Sequence, residues 1–237
     1  MGRGTMPVRP SPRSRKHATT VGVSAIVLAA GGSTRMGTGK PLVRIADRPL
    51  LEHVLEALSR SLVTQIVVVL GHEAALVKEE IPLADATVVV NREYAEGMST
   101  SIRAGLRASD PQAAAFLLVL GDQPFVSSTT IDTLIRRWRP RGPRILIPTF
   151  RGRRGNPVLV DRSLSSEIRS ISGDVGFRAL FQNRAEDILE VPVDDPGILV
   201  DVDTPEQLRS LSKEIERGRP LKEILTDLAI RSRTASR

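Results

Sequence analysis

The chain is expected to fold as an α/β domain, with a mainly parallel sheet covered by helices on both faces. Three observations predict this. Four short aliphatic runs, Val23–Leu28, Ile66–Leu70, Thr87–Val90 and Phe116–Leu120, lack polar alternation and so read as strands buried on both faces. Helical patterns separate them, giving the βαβ rhythm of a parallel sheet. A glycine-rich segment follows the first run at once, with glycines at 31, 32, 37 and 39. In a sheet of this kind, ligands gather at the loops beyond the strand ends, where the winding reverses.

The remaining elements follow in chain order. Pro49–Ser61 reads as a helix: its proline suits a first turn, and Leu50, Val54, Leu55 and Leu58 recur at helical spacing. Glu73–Glu80 and Ser99–Ala108 read as the next two helices. After Asp122 the rhythm changes. Ser128–Trp138 reads as a helix. Arg144–Pro148 and Pro157–Val160 read as strands joined by the basic loop Arg151–Asn156, a small hairpin-like β insertion. Ser163–Ser170 and Val175–Gln182 read as helices and Ile188–Val193 as a strand. Pro205–Arg217 has a marked helix start: Thr204 can cap, Pro205 fits the first turn and Gln207 can complete a capping box. A last helix is expected over 219–230.

At 237 residues, one domain with tails is the first expectation. It spans 21–212, between a disordered basic extension at 1–20 and a helical extension and tail at 213–237. Composition narrows the chemistry. There is no cysteine, so disulfides, thiolate metal sites and thiol nucleophiles are excluded. His17, His53 and His72 lack metal-ligand spacing and suit surface or packing roles. No apolar stretch is long enough to span a bilayer and the start shows no apolar signal core, so no membrane partner and a reducing, cytoplasmic setting are expected. The net charge of +7 invites a nucleic-acid reading. Its distribution opposes one. Residues 1–20 hold five basic residues and no acid, and 213–237 hold seven basic and four acidic, which leaves −1 for the rest. With one Trp and one Tyr for stacking, nucleic acid is not an expected partner.

The glycine segment also carries Arg35 and Lys40. Glycines let backbone N–H groups approach a ligand, and two cations favour an anion, so a polyphosphate is the natural guest. It is not a Walker A loop: that motif needs glycine where this chain has Thr34, and Ser or Thr where it has Pro41. Gly121-Asp122-Gln123-Pro124 follows the run ending at Leu120 and should meet the glycine loop. Asp122 then offers a carboxylate to a hard cation such as Mg²⁺; alone, it reads better as a turn residue bonding its own backbone, and the phosphate loop nearby reverses that preference. In Asp201-Val-Asp203-Thr204 the two acids share one side of an extended segment. Thr204 suffices for capping, which frees Asp203 as a second metal ligand. Tyr94–Arg103 offers Ser99, Ser101 and Arg103 at a helix start, suited either to a base, ribose or phosphate or to ordinary capping. Asn156 and Asp174, in Gly155-Asn156-Pro157 and Gly173-Asp174-Val175-Gly176, are weaker signals of the same kind.

Taken together, these segments resemble the molybdenum cofactor nucleotidyltransferases, and their cytidylyltransferase branch in particular. LAAGGSTRMGTGK at 28–40 resembles the signature loop of that family. EGMSTSIRAG at 96–105, LGDQP at 120–124, RGNPVL at 154–159, GDVGFR at 173–178 and DVDTPEQL at 201–208 resemble its later motifs, in order. The resemblance covers about 23–212. It implies a three-layer, Rossmann-like α/β nucleotidyltransferase fold. It also implies Mg²⁺-dependent transfer of a nucleoside monophosphate from a triphosphate to the phosphate of molybdopterin, releasing pyrophosphate. By this likeness Leu28, Ala29, Ala30, Gly31 and Gly32 line the nucleotide, with Ser33, Met36 and Gly37 from the same loop. Arg35 and Lys40 hold the triphosphate, and Asp122 and Asp203 the metal. The guanylyl branch tends to read Leu-Ala-Gly-Gly where this chain reads Leu-Ala-Ala-Gly at 28–31, which favours CTP over GTP. A client molybdoenzyme or its chaperone is the implied protein partner. Two departures stand out: Asp47, where relatives usually carry glycine, and the basic N-terminus. Neither touches the chemistry.

Two other readings stay open at this stage. One is a nucleotidyltransferase acting on another small phosphate, such as a sugar phosphate. The other is an NAD(P)H-dependent oxidoreductase on the same fold, since some relatives are described as acting on a pigment.

Overall fold

The computed structural model describes residues 22–31, 39–138, 141–173, 181 and 184–231. The expected helix at Val175–Gln182, the N-terminal extension and the candidates Gly32, Ser33, Arg35, Met36, Gly37 and Asp174 lie outside the described residues.

The strands are β1 (Val23–Ala29), β2 (Arg44–Ile45), β3 (Arg48–Pro49), β4 (Gln65–Leu70), β5 (Thr87–Val90), β6 (Ala115–Leu120), β7 (Ile145–Phe150), β8 (Arg153–Arg154), β9 (Val158–Asp161) and β10 (Ile188–Pro192). The helices are α1 (Leu50–Ser59), α2 (Ala74–Glu80), α3 (Met98–Ala108), α4 (Ser128–Arg137), α5 (Ser165–Ser170), α6 (Pro205–Glu216) and α7 (Leu221–Arg231). The main sheet runs β10-β7-β9-β6-β1-β4-β5, with β8 paired to β7. β1 pairs in parallel with both β4 and β6, β4 with β5, and β7 with β10. Within the main sheet, among the described residues, only β8 and β9 run against their neighbours; β2 and β3 form a separate antiparallel pair. This is the mostly parallel, Rossmann-like α/β sheet expected. The expected hairpin forms, but its strands are part of the main sheet: β9 inserts between β6 and β7. Val158, Leu159 and Val160 are all buried, so this strand needs cover on both faces.

Alternation along β1 builds the core. Val23, Ala25, Val27 and Ala29 pack with Leu51, Val54 and Leu58 of α1, Val77 of α2, and Ile131 and Leu134 of α4. Ile26 faces the other layer, with Ile102 and Leu106 of α3 and Ile168 of α5. Helix α3 lies very close to β1 because Gly105 has no side chain: a Cβ there would sit 2.3 Å from Ile26 Cγ2. A third cluster joins Val43, Ile45 and Leu50 to Val202, Leu211 and Ile224, anchoring α6 and α7.

Two of the element starts that differ from expectation have a visible cause. Pro49 is extended and pairs with Arg44, so α1 begins one residue later, at Leu50. Glu73 adopts φ +54° and stands before α2 rather than inside it. The capping box at Thr204 and Gln207 forms as expected.

Candidate functional site

The site lies beyond the carboxyl ends of β1 and β6, neighbouring parallel strands. Their loops touch directly: Gly121 N–H donates to Leu28 O at 3.0 Å. A Cβ on Gly121 would stand 3.0 Å from Ala29 Cβ and 3.1 Å from Leu28 O, so glycine permits this approach. The next peptide recruits a third segment, because Val202 N–H donates to Asp122 O at 3.1 Å. Val200 and Val202 are buried in the small core beneath, which turns Asp201 and Asp203 to the opposite side of the chain.

Lys40 closes the arrangement. The chain returns at Gly39, and Leu42 N–H donates to Gly39 O at 2.9 Å, opening a tight turn over Lys40–Leu42. From there Lys40 Nζ donates to Asp122 Oδ2 at 2.7 Å and to Asp203 Oδ1. Its side chain is 22 % exposed, against 25 % for Asp122 and 46 % for Asp203, so Asp203 is the more open of its two partners. Burial works against the charge of Lys40, but Asp122 and Asp203 outweigh it and raise its pKa above the ordinary lysine range. Asp201 accepts from Gln123 Nε2. Crowding by the protein, then the nearby charge of Asp122, pushes the Asp201 carboxyl upward, while Gln123 and Lys40 oppose the shift. Two carboxylates therefore share one lysine with a third close by, and this corner is rich in acidic groups.

The other candidates divide. Leu28, Ala29 and Ala30 are largely buried at the strand end and Gly31 is exposed. Ser99 is buried at the start of α3, where Gly97 gives no side-chain cap, and its Oγ has no hydrogen-bond partner among the described residues. Ser101 is turned inward: it accepts from Asn91 Nδ2 at 3.0 Å, and Thr100 does so at 2.7 Å. Arg103 donates to Ile171 O at 2.7 Å, which ties α3 to the segment leading to Gly173. Asn156 precedes a cis peptide bond to Pro157, and its N–H donates to Ile198 O at 3.1 Å, on the turn that leads into Asp201. Among the described residues, no group of three His, Asp or Glu side chains is placed to hold a metal ion. A divalent cation here would rest on Asp122 and Asp203, with the rest of its shell from phosphate oxygens and water. Hard oxygen donors and an acidic corner suit such an ion.

Sequence reasoning missed two contributors. Asn91 follows β5 and orders the start of α3 through its two hydroxyl partners. Glu73 accepts from Gly39 N–H at 2.7 Å across 34 residues. Neither leaves a local motif, because each is defined by its distant partner.

Comparison with known proteins places these features in a family. The chain is 32 % identical over 202 residues to the nicotine blue oxidoreductase of Paenarthrobacter nicotinovorans, covering 80 % of this chain and 96 % of that protein. It is 26 % identical to the molybdenum cofactor cytidylyltransferase of Escherichia coli, over 78 % of this chain and 92 % of the relative. The crystal structure of the Rv0371c protein of Mycobacterium tuberculosis superposes with a TM-score of 0.74 at 30 % identity, covering 82 % of this chain and all of that one. The same mycobacterial protein has also been solved in complex with manganese, with a TM-score of 0.70 at 29 % identity over 81 % of this chain and 98 % of that one. Among the described residues, no helix is long and apolar enough to cross a membrane. Residues 25–188 match the MobA-like NTP transferase domain, and the chain belongs to that family.

Proposed function

We propose that the protein transfers a nucleoside monophosphate, CMP from CTP, to the phosphate of a molybdopterin-type cofactor and releases pyrophosphate. The observation that carries this reading is the convergence of Lys40, Asp122 and Asp203 at the end of the glycine segment. An oxygen of the acceptor phosphate attacks the α-phosphorus of the triphosphate. The bond from that phosphorus to the bridging oxygen of the leaving pyrophosphate breaks. The attacking oxygen is already anionic, so no strong general base is required.

Such chemistry asks a protein mainly for positioning and for neutralising charge. Leu28 to Gly32 would line the nucleotide and Ser99 would offer its hydroxyl to the base or ribose. Lys40, with Arg35, would hold the triphosphate. Asp122 and Asp203 would hold Mg²⁺, which supplies charge stabilisation at the phosphates when bound. Their present partner, the Lys40 ammonium, is a cation between two carboxylates, which supports their fitness for this role. A client molybdoenzyme or its chaperone would receive the product.

The test is pyrophosphate release with CTP, GTP and ATP, each with and without molybdenum cofactor. Release dependent on the cofactor and fastest with CTP is the expected result. Faster release with GTP would move the chain to the guanylyl branch, and release only with another phosphorylated acceptor would replace the cofactor. One comparison favours a second reading, since the 32 %-identical relative is named an oxidoreductase. NAD(P)H consumption without pyrophosphate release would establish it here.

A further inference from the structure

We infer that the turn between β4 and α2 is a clip that fixes the two ends of the glycine segment, with Glu73 the residue that positions Lys40. The inference rests on the reading of Lys40 as a triphosphate ligand. The chain leaves the sheet at Ala30 and returns at Gly39, and consecutive residues of one turn hold both points. His72 N–H donates to Ala30 O at 3.3 Å. The Glu73 carboxylate accepts from Gly39 N–H at 2.7 Å. The turn is pressed onto the first of these points, because a Cβ on Gly71 would lie 2.5 Å from Ala30 O. At the second point the Glu73 carboxylate lies close against Gly39, since a Cβ there would stand 2.5 Å from Glu73 Oε2.

Glu73 is arranged for this contact at the expense of local stability. It holds φ +54°, a left-handed conformation unfavourable for a residue with a side chain. It stands at the position before α2, where a capping side chain would bond the first turn, and it makes no such bond. Its carboxylate reaches the distant Gly39 instead. Gly39 is thereby held at both its groups, the N–H by Glu73 and the carbonyl by Leu42 N–H. The next residue is Lys40, whose ammonium must meet Asp122 and Asp203. Fixing the backbone one residue earlier limits where that ammonium can go, and so prepares the place of the phosphates.

What the clip needs at position 73 is an acceptor, not a charge. Glu73→Gln keeps an acceptor oxygen and Glu73→Ala removes it. The full chain and both variants are titrated with CTP and Mg²⁺, and melting temperatures are recorded beside them. Glu73→Ala is expected to weaken CTP binding about tenfold, the upper scale of one hydrogen bond, with Glu73→Gln restoring most of it. Wild-type affinity in Glu73→Ala would overturn the inference. So would a Gln variant as weak as Ala, or variants that bind more tightly than wild type, which would make Glu73 a competitor of the phosphates. If wild type binds no nucleotide, the nucleotide reading falls. The clip is then decided by amide hydrogen exchange at Gly39: faster exchange in Ala but not Gln supports it, and unchanged exchange in both overturns it.

Discussion

Replacing Lys40 by alanine separates its observed role, as a partner of the acids, from its proposed one, as a ligand of the substrate. At 2.7 Å from Asp122, the gross attraction at an effective dielectric of about 20 is ~6 kcal/mol. Desolvation and the solvent reaching Asp203, 46 % exposed, cancel most of it. A net loss of about 1–2 kcal/mol follows, which for a domain of this size lowers Tm by roughly 3–6 °C. Removing the ammonium leaves Asp122, Asp201 and Asp203 facing one another without their cation. A divalent ion should then stabilise the variant more than the wild type, where it must compete with Lys40. Differential scanning calorimetry with and without Mn²⁺ or Mg²⁺ reads both effects. Turnover should nevertheless fall about 10²–10³-fold, because the ion restores the acids but not the contact to the triphosphate. A variant that melts like wild type and gains no more from metal would refute the electrostatic reasoning. Wild-type turnover would refute the placement of the triphosphate.

Four further outcomes are expected. Asp122→Asn and Asp203→Asn should each raise the Mg²⁺ concentration for half-maximal turnover, with the double variant losing less than the two single losses combined; additive losses at unchanged Mg²⁺ dependence would exclude a shared ion. Gly105→Ala should cost about 1–3 kcal/mol by pushing α3 off β1, so a Tm within a degree of wild type would show that the helix yields freely. Arg144 grips Asp187 with Nε at 2.8 Å and Nη2 at 2.7 Å, and this bond holds the Asp187 carboxyl below the usual carboxylate range. A lowered folded-state pKa gives stability that is complete above the unfolded-state pKa and is lost as pH falls through the folded value, so the Tm gap between wild type and Asp187→Asn should be constant near neutrality and close in acid; a gap that widens in acid would contradict the assignment. Deleting residues 1–20 should leave turnover and Tm nearly unchanged, and a several-fold loss of turnover would make the extension part of the site.

The parts of this fold that could be read in advance are those whose causes are local. β5 matches its expected bounds and β1, β4 and β6 extend theirs by one residue, because a strand buried on both faces writes an unbroken aliphatic run. The start of α6 was legible because Thr204 and Gln207 satisfy each other within one turn. Pro49 shows the limit of such reasoning. Its fixed φ suits a first helical turn and an extended bridge equally, and the pairing with Arg44 decided between them. The place of β9 between β6 and β7 depends on pairing across the sheet, which no run of residues encodes by itself.

The site shows the same division at finer scale. Alternation at 201–203 correctly puts both acids on one side, because Val200 and Val202 need burial. It does not say what each acid meets. That depends on Gln123 and Lys40, which arrive from two other loops and make the neighbours unlike. Asp201 is held by an amide and pushed toward protonation, and Asp203 faces solvent and an ammonium. The consequence is chemical. An acid whose ionised form is disfavoured is a poor ligand for a hard cation, which sets Asp201 apart from its neighbour. The proposed pairing of Asp203 with Asp122 therefore depends on Lys40, 163 residues from Asp203 in the chain, while the amide that occupies Asp201 comes from Gln123, 78 residues away.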